Sequence, residues 1–167
     1  MTVIGVVAPG TMGSAGAHRL VENGAVVLTL LEGRSAATRA RAQAAGMRGT
    51  DEAGLATADA ILSIVPPADA KALAERLAPA SRATNRAPIY ADCNALDVQT
   101  VRAISEVVRA TGYPFVDGGI IGLPPKPVTT GPKFYLSGPD AAAFLQILSP
   151  LGLKVEAMDG PVGTASA

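Results

Sequence analysis

Apolar and polar positions change their period along the first 31 residues in a way that predicts a strand, a helix and a second strand. Residues 3–7 form an apolar run typical of a buried strand, and residues 25–31 form another. Between them, apolar positions recur at helical spacing until Asn23-Gly24 ends the helix. The chain therefore opens with a βαβ unit.

The same alternation continues to the end of the chain. Further helices are predicted at 36–45, 52–56, 68–77, 98–111 and 139–148, and further extended segments near Met47 and at 59–65, 88–92, 115–117, 133–137 and 154–158. Residues 118–132, rich in glycine and proline, are predicted to be a loop. Strands that are apolar along their whole length favour a parallel sheet covered on both faces. We predict one α/β domain over 1–167, a doubly wound and mostly parallel sheet, with a core at 1–117 and a sheet extension at 118–167.

Composition excludes several function classes. Hydrophobic residues make up 49% and charged residues 17%, with zero net charge, so a large core is expected and nucleic acid or an anionic membrane is a poor partner. No apolar run approaches the roughly 18 residues of a membrane helix. A single cysteine and a single histidine provide neither a disulfide nor a usual zinc site. The first strand leaves no room for a signal peptide, so the expected location is the cytoplasm.

A turn of small residues joins the first strand to the first helix. It reads Ala8-Pro9-Gly10-Thr11-Met12-Gly13, which fits the dinucleotide fingerprint G-x-G-x-x-G except for the alanine at its first position. Gly10 lets the backbone approach a pyrophosphate, and Gly13 lets the helix pack closely on the strand. The free N–H groups of the first helical turn then face the anion. The alternative is that both glycines serve only turning and packing.

Residues after the second strand indicate which of the two nicotinamide cofactors, NAD or NADP, the domain binds. Glu32 lies near the position of an acid that would bind the ribose of NAD, whereas Arg34 offers a planar charged group for the 2′-phosphate of NADP. Ser35 adds a hydroxyl donor. We favour NADP over NAD, provided that Glu32 turns away or pairs with Arg34. The alternative is that Arg34 is a solvated residue at a helix start.

Ends of other strands should meet the same crevice. Val65 and Pro66 are predicted to lie under the cofactor, although two consecutive prolines also simply end a strand. Asn94 either bonds the nicotinamide amide or the substrate, or shapes the entry to a helix capped by Asp97. Cys93 is expected to be a small buried side chain and His18 a surface or packing residue. Asp92 and Asp117 end strands without forming an acid–base pair, so no general base is expected.

Five motifs occur in an order that resembles the β-hydroxyacid dehydrogenases, a group that includes 6-phosphogluconate and 3-hydroxyisobutyrate dehydrogenases. They are Gly10-x-Met12-Gly13, Val65-Pro66, Asp92-x-Asn94, residues 116–122 (VDGGIIG) and residues 134–138 (FYLSG). The resemblance implies a Rossmann NAD(P)-binding domain and hydride transfer between a nicotinamide and a small hydroxy acid. Residues 160–167 (GPVGTASA) look like the family segment that opens a long helix with the catalytic lysine.

The resemblance implies that the lysine lies just beyond this chain, that the chain contains no catalytic residue, and that the helical domain that completes the pocket and a homodimer is absent. The isolated chain is then expected to be inactive. The segment Ile121-Gly122-Leu123 stands where the family carries a substrate-binding S-G-G, and Gly119 replaces a proline. Ile121 therefore replaces the serine that would bind a substrate carboxylate, and related imine reductases are an alternative.

Two further alternatives belong to other classes. One is a non-catalytic nucleotide-sensing or interaction module with the same core. The other is a methyltransferase-type or mononucleotide-binding domain.

Overall fold

The computed structural model describes residues 1–122 and 131–166, and in them eight strands join into one sheet. The strands are β1 (Val3–Val7), β2 (Val26–Leu30), β3 (Arg48–Thr50), β4 (Ala60–Ser63), β5 (Ile89–Asp92), β6 (Phe115–Ile121), β7 (Lys133–Ser137) and β8 (Lys154–Ala157). Their order across the sheet is β3-β2-β1-β4-β5-β6-β7-β8. All pairs are parallel except β6 with β7, which is antiparallel.

Helices connect the strands and cover both faces of the sheet. They are α1 (Thr11–Glu22), α2 (Ala36–Ala44), α3 (Glu52–Leu55), α4 (Ala70–Arg82), α5 (Val98–Arg109) and α6 (Ala141–Leu148). Three begin with a side-chain cap: Ser35, Asp51 and Asp97 each accept a hydrogen bond from the amide three residues later. The predicted Asp97 cap is thus confirmed.

The strand order reverses next to β1. The chain begins at β1, builds outwards through β2 and β3, and then returns to place β4 on the other side of β1, with Ile4 opposite Ala60 and Val7 opposite Ser63. Two separate apolar cores result: one includes Leu20 of α1 and Phe144 of α6, and the other lies under α3, α4 and α5. This is the predicted α/β doubly wound sheet, and the crevice of such a sheet opens where the order reverses.

The structure corrects two boundaries. The loop predicted at 118–132 was wrong at its start, because β6 continues to Ile121, with residues 117–121 antiparallel to β7. The helix predicted at 68–77 begins as a 3-10 turn at Pro67–Asp69 and runs to Arg82, through Pro79. Proline removes one helical donor, but Ala78 and Ser81 on the same turn are buried against the core, and this packing keeps the helix going.

Within the described ranges, no helix is both long and apolar enough to cross a membrane.

Candidate functional site

A cleft of about 310 Å³ lies at the reversal of strand order, where β1 and β4 end side by side. It is lined by residues 8–13, Arg34, Thr38, Arg41 and residues 64–66, and is called the first cleft below. Nine of the predicted cofactor residues come together here: the six residues of the small-residue turn with Arg34, Val65 and Pro66. No acidic residue is among the described residues that line this cleft.

The first turn of α1 points unpaired donors into this cleft. Gly10 occupies the N-cap position, where no side chain caps the helix, and the first turn holds no acidic residue. Among the described residues, the amides of Thr11, Met12 and Gly13 have no hydrogen-bond acceptor, and Ser14 is the first whose N–H reaches back to Gly10, at 2.9 Å. Unpaired amides and the positive end of the helix dipole together favour an anion at this place.

Gly10 and Gly13 differ in what surrounds them. A Cβ built on Gly13 would lie 2.1 Å from the carbonyl oxygen of Ala8, so the close contact of α1 with the end of β1 requires glycine there. A Cβ on Gly10 would meet nothing within 4 Å, and its φ of −73° suits any residue. The protein's own packing therefore leaves the space beside Gly10 open for a ligand.

Two arginines line the opposite side of the cleft. Arg34 follows β2, and the Arg41 side chain reaches across from α2 to donate from Nη1 to the carbonyl oxygen of Pro9 at 3.3 Å. Thr38 lies between them, one turn before Arg41 on α2. The sequence reasoning missed both Thr38 and Arg41. The sequence pattern did indicate them: positions three apart on a helix share one face, and α2 begins only two residues after Arg34.

Ser35 and Glu32 take roles that the sequence left undecided. The Ser35 hydroxyl accepts from the Thr38 amide at 3.2 Å and donates to the Thr38 hydroxyl oxygen at 3.0 Å, so it caps α2. Glu32 is exposed, and within residues 1–122 and 131–166 it forms no ion pair with Arg34. The guanidinium of Arg34 is thereby left available to a ligand.

A second cleft of about 410 Å³ adjoins the first and shares Met12, Ile64 and Val65 with it. Its other lining residues are Pro67, residues 93–95, residues 119–121 and residues 165–166. None of these side chains is charged. The second cleft lies beyond the ends of β4, β5 and β6, in the direction in which a ligand that extends from the first cleft would continue.

Asn94 lines the second cleft with most of its hydrogen-bonding capacity already used. Its Nδ2 donates to Ser63 Oγ at 3.1 Å and to Asp92 Oδ1 at 3.0 Å, and its Oδ1 accepts from the Val65 amide at 2.8 Å. The side chain thus ties the ends of β4 and β5 together. One lone pair on Oδ1 is left, so Asn94 can accept a hydrogen bond from a ligand but has no proton to give.

The predicted substrate segment is only partly described. Ile121 lines the second cleft and is 67% exposed, an unusual exposure for a large apolar side chain. Gly122 has a φ of +122° and packs against Pro132, where a Cβ would lie 3.0 Å from the proline Cα. Leu123 lies outside the described residues.

Cys93 and His18 lie where the sequence suggested. The Cys93 thiol is buried, and burial beside Asp92 and Asp117 raises its pKa well above the usual range, which disfavours the nucleophilic thiolate. His18 lies on the exposed face of α1, 3.3 Å from Glu22. Neither side chain is equipped for nucleophilic chemistry in the clefts. Among the residues of known placement, no group of three or more potential ligands could hold a metal ion.

Asp117 does more than end a strand, because its side chain binds backbone amides near residue 165. It lies within β6 and is fully buried, and its Oδ2 accepts from the amides of Gly163, Ala165 and Ser166 at 2.9–3.1 Å. Residues 165 and 166 are the same ones that line the second cleft. Sequence reasoning missed this contact, because the partners lie more than 45 positions apart and no local pattern joins them.

Comparison with known proteins agrees with this geometry. Residues 3–157 match the family described as the NAD-binding domain of 6-phosphogluconate dehydrogenase. The chain belongs to this family. A search of curated proteins finds no significant match.

Solved structures share the fold of this NAD-binding domain. The conserved protein MTH1747, described as structurally similar to 3-hydroxyacid dehydrogenases, is 31% identical with a TM-score of 0.85 over 98% of this chain. Mycobacterium tuberculosis 3-hydroxyisobutyrate dehydrogenase is 20% identical (TM-score 0.80, 99% of this chain). An imine reductase from Myxococcus stipitatus, solved with NADP+, is 19% identical (TM-score 0.77, 99% of this chain). The chain spans 60%, 57% and 57% of their respective lengths.

Proposed function

We propose that this NAD-binding domain serves an oxidoreductase that uses NADP for hydride transfer to or from a small substrate. The carrying observation is the composition of the first cleft: unpaired amides of α1 at one side, Arg34, Thr38 and Arg41 at the other, and no acid among its lining residues in the described ranges. A diphosphate suits the amides, and a further phosphate suits two arginines and a hydroxyl.

The shape of the cofactor fits the two clefts in sequence. The diphosphate would be held by the amides of Thr11 to Gly13 in the space left open at Gly10, and the 2′-phosphate by Arg34 and Arg41. The nicotinamide would extend into the second cleft, where Asn94 Oδ1 can accept from its carboxamide. Bound nicotinamide supplies the hydride acceptor or donor at its ring, while this chain's residues bind and orient it and exclude water.

Two substrate classes fit such a domain. The first is a small hydroxy acid, as in the 3-hydroxyisobutyrate dehydrogenase that shares the fold. The second is an imine, as in the imine reductase. One observation favours the imine: among the described residues that line the second cleft there is no cation, which a carboxylate substrate would need as a partner.

Titration of the 167-residue chain with NADPH and NADH, followed by nicotinamide fluorescence, tests the cofactor proposal. NADPH should bind more tightly than NADH. Replacement Arg34→Ala should weaken NADPH by about 1.5–3 kcal/mol, the range for a charge-assisted hydrogen bond, and leave NADH nearly unchanged. Arg82→Ala, at an exposed position of the last turn of α4, is the matched control and should change neither affinity. An equal loss of affinity for both cofactors would show that Arg34 does not bind the 2′-phosphate.

Substrate charge is tested with two probes of similar size and opposite charge, isobutylammonium and isovalerate. With NADP+ present, saturation-transfer NMR on the chain should detect the ammonium in the second cleft and not the carboxylate. Ile121→Arg should reverse that preference, since it adds a cation at the rim of the second cleft. Stronger binding of isovalerate to the unsubstituted chain would instead favour a hydroxy acid as the substrate.

A further inference from the structure

Five donors converge on one oxygen of a buried carboxylate. Besides the three amides of Gly163, Ala165 and Ser166, the hydroxyls of Ser137 and Ser166 donate to Asp117 Oδ2 at 3.0 and 3.2 Å. The Ser137 Oγ also accepts from the Ala165 amide at 2.9 Å. Residues 163–166, called the C-terminal wall below, are thus held by a single side chain and its serine neighbour.

The C-terminal wall forms one side of the second cleft. Ala165 and Ser166 line it, and they lie directly over Gly119, where a Cβ would be 2.4 Å from the Ala165 carbonyl oxygen. Gly119, where the resemblance to the dehydrogenases leads one to expect a proline, is therefore what lets the wall approach β6. The position of the wall sets the width of the cleft at this point.

Asp92 lies one strand away and shapes the surroundings of Asp117. The two residues are opposite each other in the β5–β6 register. Asp92 Oδ2 and Asp117 Oδ1 are both buried without a hydrogen-bond partner, and in the described part of the chain no Lys, Arg or His pairs with either carboxyl. Burial, with the nearby charge of Asp117, raises the pKa of Asp92 to about 6. The other titratable groups at Asp92 are Cys93 and Tyr90, both uncharged at neutral pH because burial raises their pKa.

We propose that Asp117 is a positioning residue for the second cleft: its carboxylate holds the C-terminal wall at the distance from Ile64 and Asn94 that receives the nicotinamide end of the cofactor. This rests on the proposed function only for the identity of the ligand. The contact geometry supports positioning rather than general support of the fold, because all five donors belong to the wall or to Ser137, and β6 pairs with β7 through its backbone independently of the Asp117 side chain.

Amide hydrogen exchange of the chain alone tests the anchor. In Asp117→Asn the amides of Ala165 and Ser166 should exchange at least about tenfold faster, since bonds to a charged acceptor are the stronger ones. Amides in β1 and β4 should keep their protection. Asp159→Asn, an exposed acid shortly before the wall, is the matched control and should change neither set. Unchanged protection at Ala165 and Ser166 in Asp117→Asn would overturn the proposal.

A pair of ligands separates positioning from a general loss of structure. 2′,5′-ADP can fill only the first cleft, whereas NADPH extends into the second. Asp117→Asn should lower the affinity for NADPH by about tenfold and leave that for 2′,5′-ADP unchanged. Equal losses for both ligands, or no loss for either, would contradict positioning. If neither ligand binds the unsubstituted chain, the proposed function fails, while the exchange experiment still decides the role of Asp117.

Ser137→Ala serves if Asp117→Asn does not fold. It removes the hydroxyl that donates to Asp117 and accepts from Ala165. Exchange at the Ala165 amide should accelerate while exchange in β1 stays slow. Full protection of the Ala165 amide in this variant would equally count against the anchor.

Discussion

The Cα of Gly13 lies so close to the end of β1 that a side-chain carbon there would stand 2.1 Å from the Ala8 carbonyl oxygen. Gly10, three residues earlier, has open space on the corresponding side. Two glycines of one turn therefore have separate roles: Gly13 allows the helix to pack, and Gly10 leaves room for what binds.

Replacing these glycines by alanine should separate folding from binding. Gly13→Ala should lower the free energy of unfolding by about 3 kcal/mol, because a backbone contact cannot relax as a flexible side chain can. Gly10→Ala should cost under about 1 kcal/mol in stability but weaken NADPH at least tenfold, by roughly 1.4 kcal/mol, since its Cβ enters the diphosphate space. Urea unfolding and fluorescence titration measure the two effects. A stable Gly13→Ala variant would show that α1 can move away from β1.

Arg41 should matter for both cofactors, unlike Arg34. Its bond to the Pro9 carbonyl oxygen fixes the small-residue turn as well as placing a charge in the first cleft. Arg41→Ala should therefore weaken NADH by about 1 kcal/mol and NADPH by more. The same titrations measure this. An effect on NADPH alone would mean that Arg41 contributes charge and no support to the turn.

Glu32 provides the converse test of cofactor choice. If NADP is the cofactor, Glu32→Gln should leave NADPH affinity unchanged or raise it by up to about 0.5 kcal/mol, because an exposed negative charge near a phosphate is removed. If instead the Glu32 carboxylate binds a ribose hydroxyl, NADH affinity will fall in this variant. Parallel titrations with the two cofactors distinguish the outcomes.

Asp92 should make the stability of the chain depend on pH. Burial raises its pKa from the ordinary value of 3.8 to about 6 in the folded protein, so the folded state binds the proton more tightly than the unfolded state. The stabilisation is complete below about pH 4 and is lost as the pH rises through about 6, in total about 3 kcal/mol.

Urea unfolding of the unsubstituted chain and Asp92→Asn measures this contribution. Relative to the variant, the unsubstituted chain should lose about 2 kcal/mol between about pH 4.5 and about pH 7. Asn keeps an acceptor for the two Asn94 donors that bond Asp92 Oδ1, so the variant should fold. A constant difference between the two proteins across this range would show that Asp92 does not titrate there.

Much of the fold could be predicted because its signals are local. The apolar run of β1, the end of α1 at Asn23-Gly24 and the Asp97 cap each depend on neighbouring residues, and all three occur as predicted. The extension of β6 to Ile121 could not be predicted in this way. Glycines at 118 and 119 read as a turn, and only pairing with β7 makes that segment a strand.

The same distinction between local and long-range signals applies to the candidate site. The first cleft could be predicted from the small-residue turn and Arg34, and Arg41 was within reach of a helical-face argument. Ser35 proved to be a helix cap, a role that serine at this position shares with many helix starts. The anchoring of the C-terminal wall by Asp117 needed the tertiary structure, since nothing near Asp117 in sequence indicates its partners.

The antiparallel course of β7 has a consequence for how the two clefts come into being. The lining residues of the first cleft that the structure describes all lie between positions 8 and 66, so this cleft can form as soon as β1, β2 and β4 are paired. β7 and β8 run away from that edge of the sheet, and the chain must then return across Ser137 and Asp117 before residues 165 and 166 reach the second cleft. During synthesis, a ribosome-bound chain could thus complete the first cleft soon after residue 66 has emerged, whereas the second cleft has to wait for residue 166.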